Sequence, residues 1–149
     1  VTAINTRDTR LSHQFAVEIT GIVHASFDEC SGLEAKMEVE EYKEGGVNGY
    51  THKLPGRVSF TNVTLKWGTQ HSSALWDWYV DVVSKTDKTS ELRSVSILQL
   101  DQTRQEVRRW NLQNAFPVKW VGPSYNAANS QIGVETLELA FNDLTFVSR

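Results

Sequence analysis

Four histidines, one cysteine, a run of glutamates and five tryptophans are the side chains of this protein that could do chemistry. His13, His24, His52 and His71 are scattered, and no two stand at the i, i+4 or paired-cysteine spacings that aim two ligands at one metal ion. They read as surface or partly buried side chains. Cys30 would need a histidine beside it to act as a nucleophile. His24 is near in sequence, but no cysteine-enzyme signature surrounds Cys30, which reads as a small buried hydrophobe. Glu34, Glu38, Glu40, Glu41 and Glu44 could supply a glycosidase's two carboxylates. Glu34, Glu38 and Glu40 are expected on one face of one strand, where i and i+2 neighbours lie roughly 7 Å apart and repel weakly. That reads as a solvated face. Gly45-Gly46 and Gly49 lack the Gly-Lys-Ser/Thr ending of a phosphate loop. The tryptophans, at 67, 76, 78, 110 and 120, could form a sugar platform. They fall instead within expected strands and a helix, where large aromatics fill cores and interfaces. No catalytic, cofactor-binding or metal-ligating residue is assigned, and the expectation is a protein that is not an enzyme.

The elements that would position these groups are mostly strands. Phe15, Val17 and Ile19 alternate with polar or small residues, and Val23 to Phe27 is the expected hairpin partner. Met37 and Val39 oppose Glu38, Glu40 and Tyr42 on a further strand. Lys43 to Arg57 has no apolar period and contains Asn48-Gly49 and Pro55-Gly56, both turn dipeptides. It is far longer than the roughly two to five residues of a hairpin loop, and such loops are usually functional or disordered. Beyond it, one strand is expected over Val58 to Leu65. Leu75, Trp78, Tyr79 and Val82 recur at i, i+3, i+4 and i+7, which predicts a helix over 72–84 with Ser72 or Ser73 as its cap. Trp76, Val80 and Val83 widen its apolar surface past one stripe. Strands follow at Val95 to Leu100, Val107 to Gln113 and Phe116 to Val121, where Pro117 marks an edge or a bulge. The last apolar alternation runs through Leu137, Leu139, Phe141, Leu144 and Phe146. Many short strands with one helix predict a mainly β fold, a small β-barrel or two-sheet sandwich with a flanking helix and a long projecting loop.

Composition bounds the rest. At 149 residues the chain suits one domain with its own core. Fifteen Lys and Arg against 18 Asp and Glu leave a net charge of −3, against a general nucleic-acid-binding surface. One cysteine excludes an intramolecular disulfide and fits a reducing site of synthesis. No stretch approaches the roughly 20 apolar residues of a membrane helix, and Val1 to Arg7 lacks the apolar core of a secretory signal. The expectation is synthesis in the cytoplasm, without a signal peptide or membrane insertion.

The run Glu41-Tyr42-Lys43-Glu44-Gly45-Gly46, then Lys53-Leu54-Pro55-Gly56, then Thr61-Asn62-Val63-Thr64-Leu65-Lys66-Trp67-Gly68 resembles the tail tube proteins of contractile phages and phage-tail-like injection systems. Cys30-Ser31-Gly32-Leu33, Asn114 to Trp120 and Glu135 to Ala140 agree, in the family's order, from about Phe15 to Val147. Trp67 departs from the pattern, in which a basic residue precedes the glycine. The resemblance implies a single tail-tube domain over 1–149, with an N-terminal arm at 1–12 and an inter-subunit loop at 43–57. The fold would be similar to that of the type VI secretion tube protein.

It further implies hexameric rings stacked into the inner tube of a contractile tail or injection particle, around a channel for DNA or effector protein. The implied partners are further copies of this chain, a surrounding sheath protein, and baseplate and tail-terminator proteins. The protein would end in a virion or a released extracellular particle. Lys43, Glu44, Gly45, Gly46, Asn48, Gly49, Lys53, Leu54, Pro55 and Gly56 are the expected inter-subunit loop residues, and Glu34, Glu38 and Glu40 the candidate lumen face. The competing expectation is a monomeric β-sandwich carbohydrate-binding module, with exposed tryptophans.

Overall fold

A computed structural model of the chain describes residues 15–22, 27–46, 49–68 and 73–148. The expected N-terminal arm, His13, His24, His71, Ser72, Asn48 and most of the Val23 to Phe27 segment lie outside the described residues. In chain order the elements are β1 (Phe15–Ile19), β2 (Glu29–Ser31), β3 (Ala35–Tyr42), β4 (His52–Phe60), β5 (Val63–Gly68), α1 (Ala74–Ser84), a 3-10 turn (Lys88–Glu91), β6 (Arg93–Leu100), β7 (Glu106–Val121), β8 (Val134–Ala140) and β9 (Asp143–Ser148).

All pairings are antiparallel, and the long β7 organises them. Its first half lies between β6 and β9, and its second half pairs with β8. The bend falls at Asn114, whose φ is 53°, beside a register shift against β6. Asparagine tolerates the left-handed region better than most residues, and a bulge there lets one strand pass from one layer to the next. The stretches expected as two strands, Val107 to Gln113 and Phe116 to Val121, are therefore one bent strand. Pro117 sits at a second shift, as a proline in a strand should.

The result is a two-layer sandwich, β1–β6–β7–β9 against β7–β8–β5–β2. The strand order has two ends, β1 and β2, so the described strands do not close into a barrel. Ile19, Val95, Ile97 and Leu112 from one layer meet Val63, Leu65, Leu137 and Leu139 from the other in one buried cluster.

Helix α1 adds Leu75, Trp78 and Val82 to that cluster, the expected stripe, while Trp76, Val80 and Val83 stay exposed. Ser73 occupies the N-cap position without capping a backbone N–H; its hydroxyl donates to the Asp77 carboxylate at 3.1 Å. The Trp78 indole N–H donates to the Glu91 carbonyl at 2.9 Å, where both are out of water. Lys85 and Arg93 neutralise the buried Glu91 carboxylate, and the Arg93 guanidinium lies 5.5 Å from the centroid of the Trp78 ring. An unpaired carboxylate there would carry a heavy desolvation cost.

The strand expected over Val58 to Leu65 is two strands. β4 ends at Phe60 and β5 begins at Val63, because at Thr61–Asn62 the chain leaves one sheet for another. Among the described residues β3 and β4 pair only with each other, as a ribbon separate from the sandwich.

Candidate assembly surface

The β3–β4 ribbon grows directly out of the sandwich. Ser31 faces Thr64 in the β2–β5 pair and Ala35 faces Phe60 in the β3–β4 pair, an equal step on both chains. Between them lies a neck. Gly32 has φ +93°, and a Cβ on it would stand 2.3 Å from the Asn62 carbonyl oxygen. Only glycine allows that crossing. Thr61 ties the neck, its hydroxyl donating to the Gly32 carbonyl at 2.9 Å and its N–H to the Glu34 carbonyl at 3.3 Å. Glu34 therefore sits in the neck, before β3, and the expected single strand face of Glu34, Glu38 and Glu40 is not formed. Glu38 and Glu40 do share a face of β3 by alternation.

The expected 43–57 loop is shorter than the sequence suggests. Lys53, Leu54 and Pro55 are paired in β4, opposite Glu41, Glu40 and Val39, and Gly56 and Arg57 also lie in that strand. A two-stranded ribbon has only edge strands, where proline is tolerated. Gly56 and Arg57 together stand opposite the single Glu38, a bulge. A Cβ on Gly56 would lie 2.7 Å from the Glu38 carbonyl oxygen. Close approach inside the ribbon, rather than freedom of a loop, explains this glycine. The remaining connection holds Lys43, Glu44, Gly45, Gly46 and Gly49. Gly46 has φ +96°, Gly45 has no such angle, and both have open space around them. His52 meets Glu44 at 3.2 Å and Tyr50 edge-on at 5.1 Å, drawing the connection together beside β4.

The ribbon's two faces differ. Ala35, Met37 and Val39 line one with Phe60, Val58 and Pro55; Glu40, Tyr42, Leu54 and His52 lie on the other. At the base Phe60 packs against Phe141, with ring centroids 5.4 Å apart. Farther out no described residue covers the apolar face: Met37 is 50% exposed, Val39 60% and Val58 46%. Burying such side chains is worth about 1.5–3 kcal/mol each.

Among the described residues, the groups considered for chemistry do not converge. Cys30, opposite Leu65 in the β2–β5 pair, is partly buried, and burial, with Glu29 adding to it, pushes its thiol up to about 11. A thiol so held is a poor nucleophile at neutral pH. Among the described residues, no three His, Cys, Asp or Glu side chains gather as a metal-ligand set. No described helix is long and apolar enough to cross a membrane. Trp67 is buried and its indole N–H donates to Glu135 at 2.6 Å. Trp76 is exposed on α1, 4.5 Å from the Trp120 ring centroid. Gly32 and Asn114 fall inside the motifs Cys30-Ser31-Gly32-Leu33 and Asn114 to Trp120, but reasoning from sequence missed their roles as neck and bend.

The arrangement is thus a sandwich carrying an arm that the other described residues leave largely exposed. Its backbone is similar to a chain of the PVC extracellular contractile injection system in the extended sheath–tube complex (TM-score 0.82, 25% identity, 97% of this chain and 95% of that one). It is likewise similar to one in the anti-feeding prophage cap, the tube-terminating cap (TM-score 0.80, 25% identity, 99% of each chain). Hcp1 from Flavobacterium johnsoniae shares the fold, with a TM-score of 0.55 at 10% identity, covering 91% of this chain and 96% of that one. Comparison with curated proteins finds no match. The chain belongs to the T4-like virus tail tube protein gp19 family, whose pattern matches residues 11–145.

Proposed function

We propose that this tail tube protein assembles into hexameric rings that stack as the inner tube of a contractile particle. The observation that carries the reading is the β3–β4 ribbon, which joins the body through a glycine neck and has an apolar face that the described residues leave exposed. In a ring, neighbours would cover that face and pair the open sheet edges at β1, β2 and β9, removing an aggregation liability. Stacking through unlike surfaces then extends the rings into a tube. The partners are further copies of the chain, a sheath protein outside, and baseplate and terminator proteins at the ends. DNA or an effector protein would pass through the channel, along walls that include Glu34, Glu38 and Glu40; acidic walls do not hold DNA. The subunit is made in the cytoplasm, leaves within the particle and has no catalytic role.

The test is negative-stain microscopy with analytical ultracentrifugation of the purified protein across a wide concentration range. Rings or hollow tubes are expected, and a monomer at every concentration would overturn the reading. Exposed Trp76 is the one observation that favours a carbohydrate-binding module; a dispersed monomer that binds glycan would put that in its place.

A further inference from the structure

Arg93, at the start of β6, touches three other elements at once. Its Nη1 donates to the Thr20 carbonyl at 2.8 Å, in the turn that ends β1. Its Nη2 lies 3.9 Å from the buried Glu91 carboxylate in the 3-10 turn. Its guanidinium carbon lies 5.5 Å from the centroid of the Trp78 ring in α1. A planar fork of donors can serve all three; the point charge of a lysine cannot. The turn after β1 is shaped to admit that fork. Ile22 donates its N–H to the Ile19 carbonyl at 3.0 Å, and both the N–H and the hydroxyl of Thr20 donate to the Ser94 carbonyl at 3.1 Å. Gly21 has φ +78°, and a Cβ on it would stand 2.7 Å from Arg93 Nη1.

We infer that Arg93 is a clasp that couples the edge strand β1 to α1, so that loosening either one loosens the other. Among the described strands β1 pairs only with β6 and ends the strand order, while α1 packs chiefly against β7 and the 3-10 turn. Glu91 is the link between them. One oxygen of its carboxylate takes Lys85 from the end of α1, the other faces Arg93, and its carbonyl accepts the Trp78 indole N–H. A buried carboxylate depends on both cations, because losing either leaves charge uncompensated. When Thr20 moves away with β1, Arg93 loses the acceptor that fixes its plane and Glu91 loses a placed cation. When α1 moves away, Lys85 and Trp78 leave Glu91, and the same chain of contacts opens from its other end. A coupling of this kind is reciprocal. β1 is an open sheet edge and α1 exposes Trp76, Val80 and Val83, so a contact that tightens one surface also tightens the other. The clasp lies within one subunit and does not depend on the tube reading.

Native-state hydrogen exchange of the dilute protein, read amide by amide, tests the clasp. Arg93→Met should speed exchange at least tenfold in both β1 and α1, while the β5 amides from Val63 to Trp67 keep their wild-type rates. Arg93→Lys, which keeps the charge and loses the fork, should restore neither element. Two variants probe the coupling from its ends. Gly21→Asn tolerates the positive φ but pushes Arg93 aside, and it should speed exchange at least threefold in α1, which Gly21 does not touch. Glu91→Gln should do the same in β1, which Glu91 does not touch. If Arg93→Met fails to fold, these two variants decide. Acceleration confined to β1 in Gly21→Asn and to α1 in Glu91→Gln would overturn the clasp. Full recovery by Arg93→Lys, or equal acceleration in β5, would overturn it as well.

Discussion

β3 and β5 carry the same kind of pattern and meet opposite fates. Val63, Leu65 and Trp67 alternate with polar residues in β5 and are buried almost completely. Met37 and Val39 alternate with Glu38 and Glu40 in β3, yet every β3 residue is exposed. Period-two alternation says that a strand has an apolar face; it does not say which molecule covers that face. In β5 the cover is the shared core of the same chain. For β3 it is expected to come from another copy.

Substitutions should separate the two regions sharply. Leu65→Ala opens a cavity in the sandwich and should cost the subunit about 2–5 kcal/mol, measured by urea denaturation of dilute protein. A loss below about 1 kcal/mol would mean that the two layers are not the stable body.

The next largest effect is one of pH. The raised Cys30 thiol means that the folded state holds this proton more tightly than the unfolded chain, mainly through burial and then through Glu29. Its contribution is complete below the ordinary value of 9.0 and is lost as pH rises through about 11. Wild-type stability should fall by up to about 2 kcal/mol more than that of Cys30→Ala between pH 8 and pH 11. Lys85, raised by its hydrogen bond to Glu91, loses its own contribution as pH rises above its ordinary value of 10.5, equally in both proteins, so their difference isolates Cys30. Equal slopes would place Cys30 in water, at an open edge of the sandwich.

Smaller effects on the subunit, with larger ones on assembly, are expected along the ribbon. Gly56→Ala pushes a methyl group onto the Glu38 carbonyl and should shift the β3–β4 register. The body should lose no more than about 1 kcal/mol, while tubes seen by microscopy disappear. Gly46→Val, with its positive φ, should cost on the order of 1–3 kcal/mol locally and shorten or prevent tubes with a native circular dichroism spectrum. Normal tubes from both variants would show that the arm does not hold the assembly together.

Smallest of all for the subunit is Val39→Ser, which should change stability by no more than about 0.5 kcal/mol, as for an ordinary surface site. It should still raise the concentration at which rings form, read by ultracentrifugation. If it destabilised the monomer like Leu65→Ala, the ribbon would belong to the body after all.

Much of the body was legible in residue types and spacing. The Leu75-Trp78-Val82 stripe marks α1 to within about two residues, because one helix face against a sheet leaves a 3.6-residue imprint whatever lies beneath it. Pro117 signals its own irregularity. The tube family could also be seen in ordered short motifs, and those motifs turn out to include the neck at Gly32 and the bulge at Gly56. The reasons for these residues were not legible. Pro55-Gly56 reads locally as a turn, and only its pairing with β3 shows a strand carrying one extra residue. Thr61-Asn62 continues a clean alternation, and only the layout of the sheets shows that the chain changes partners there.

By itself the sequence determined a mainly β chain with one helix, an apolar face on most strands and membership of a tube family. Those are properties of neighbours along the chain, where backbone angles and periodicity act. Tertiary structure decided where β7 bends, that β2–β5 runs on as the projecting β3–β4 ribbon, and which apolar faces one subunit leaves uncovered. These depend on contacts such as Gly32 with Asn62 and Gly56 with Glu38, between residues far apart in the chain. Their cost is steric or comes from desolvation, and it exists only once both partners are in place.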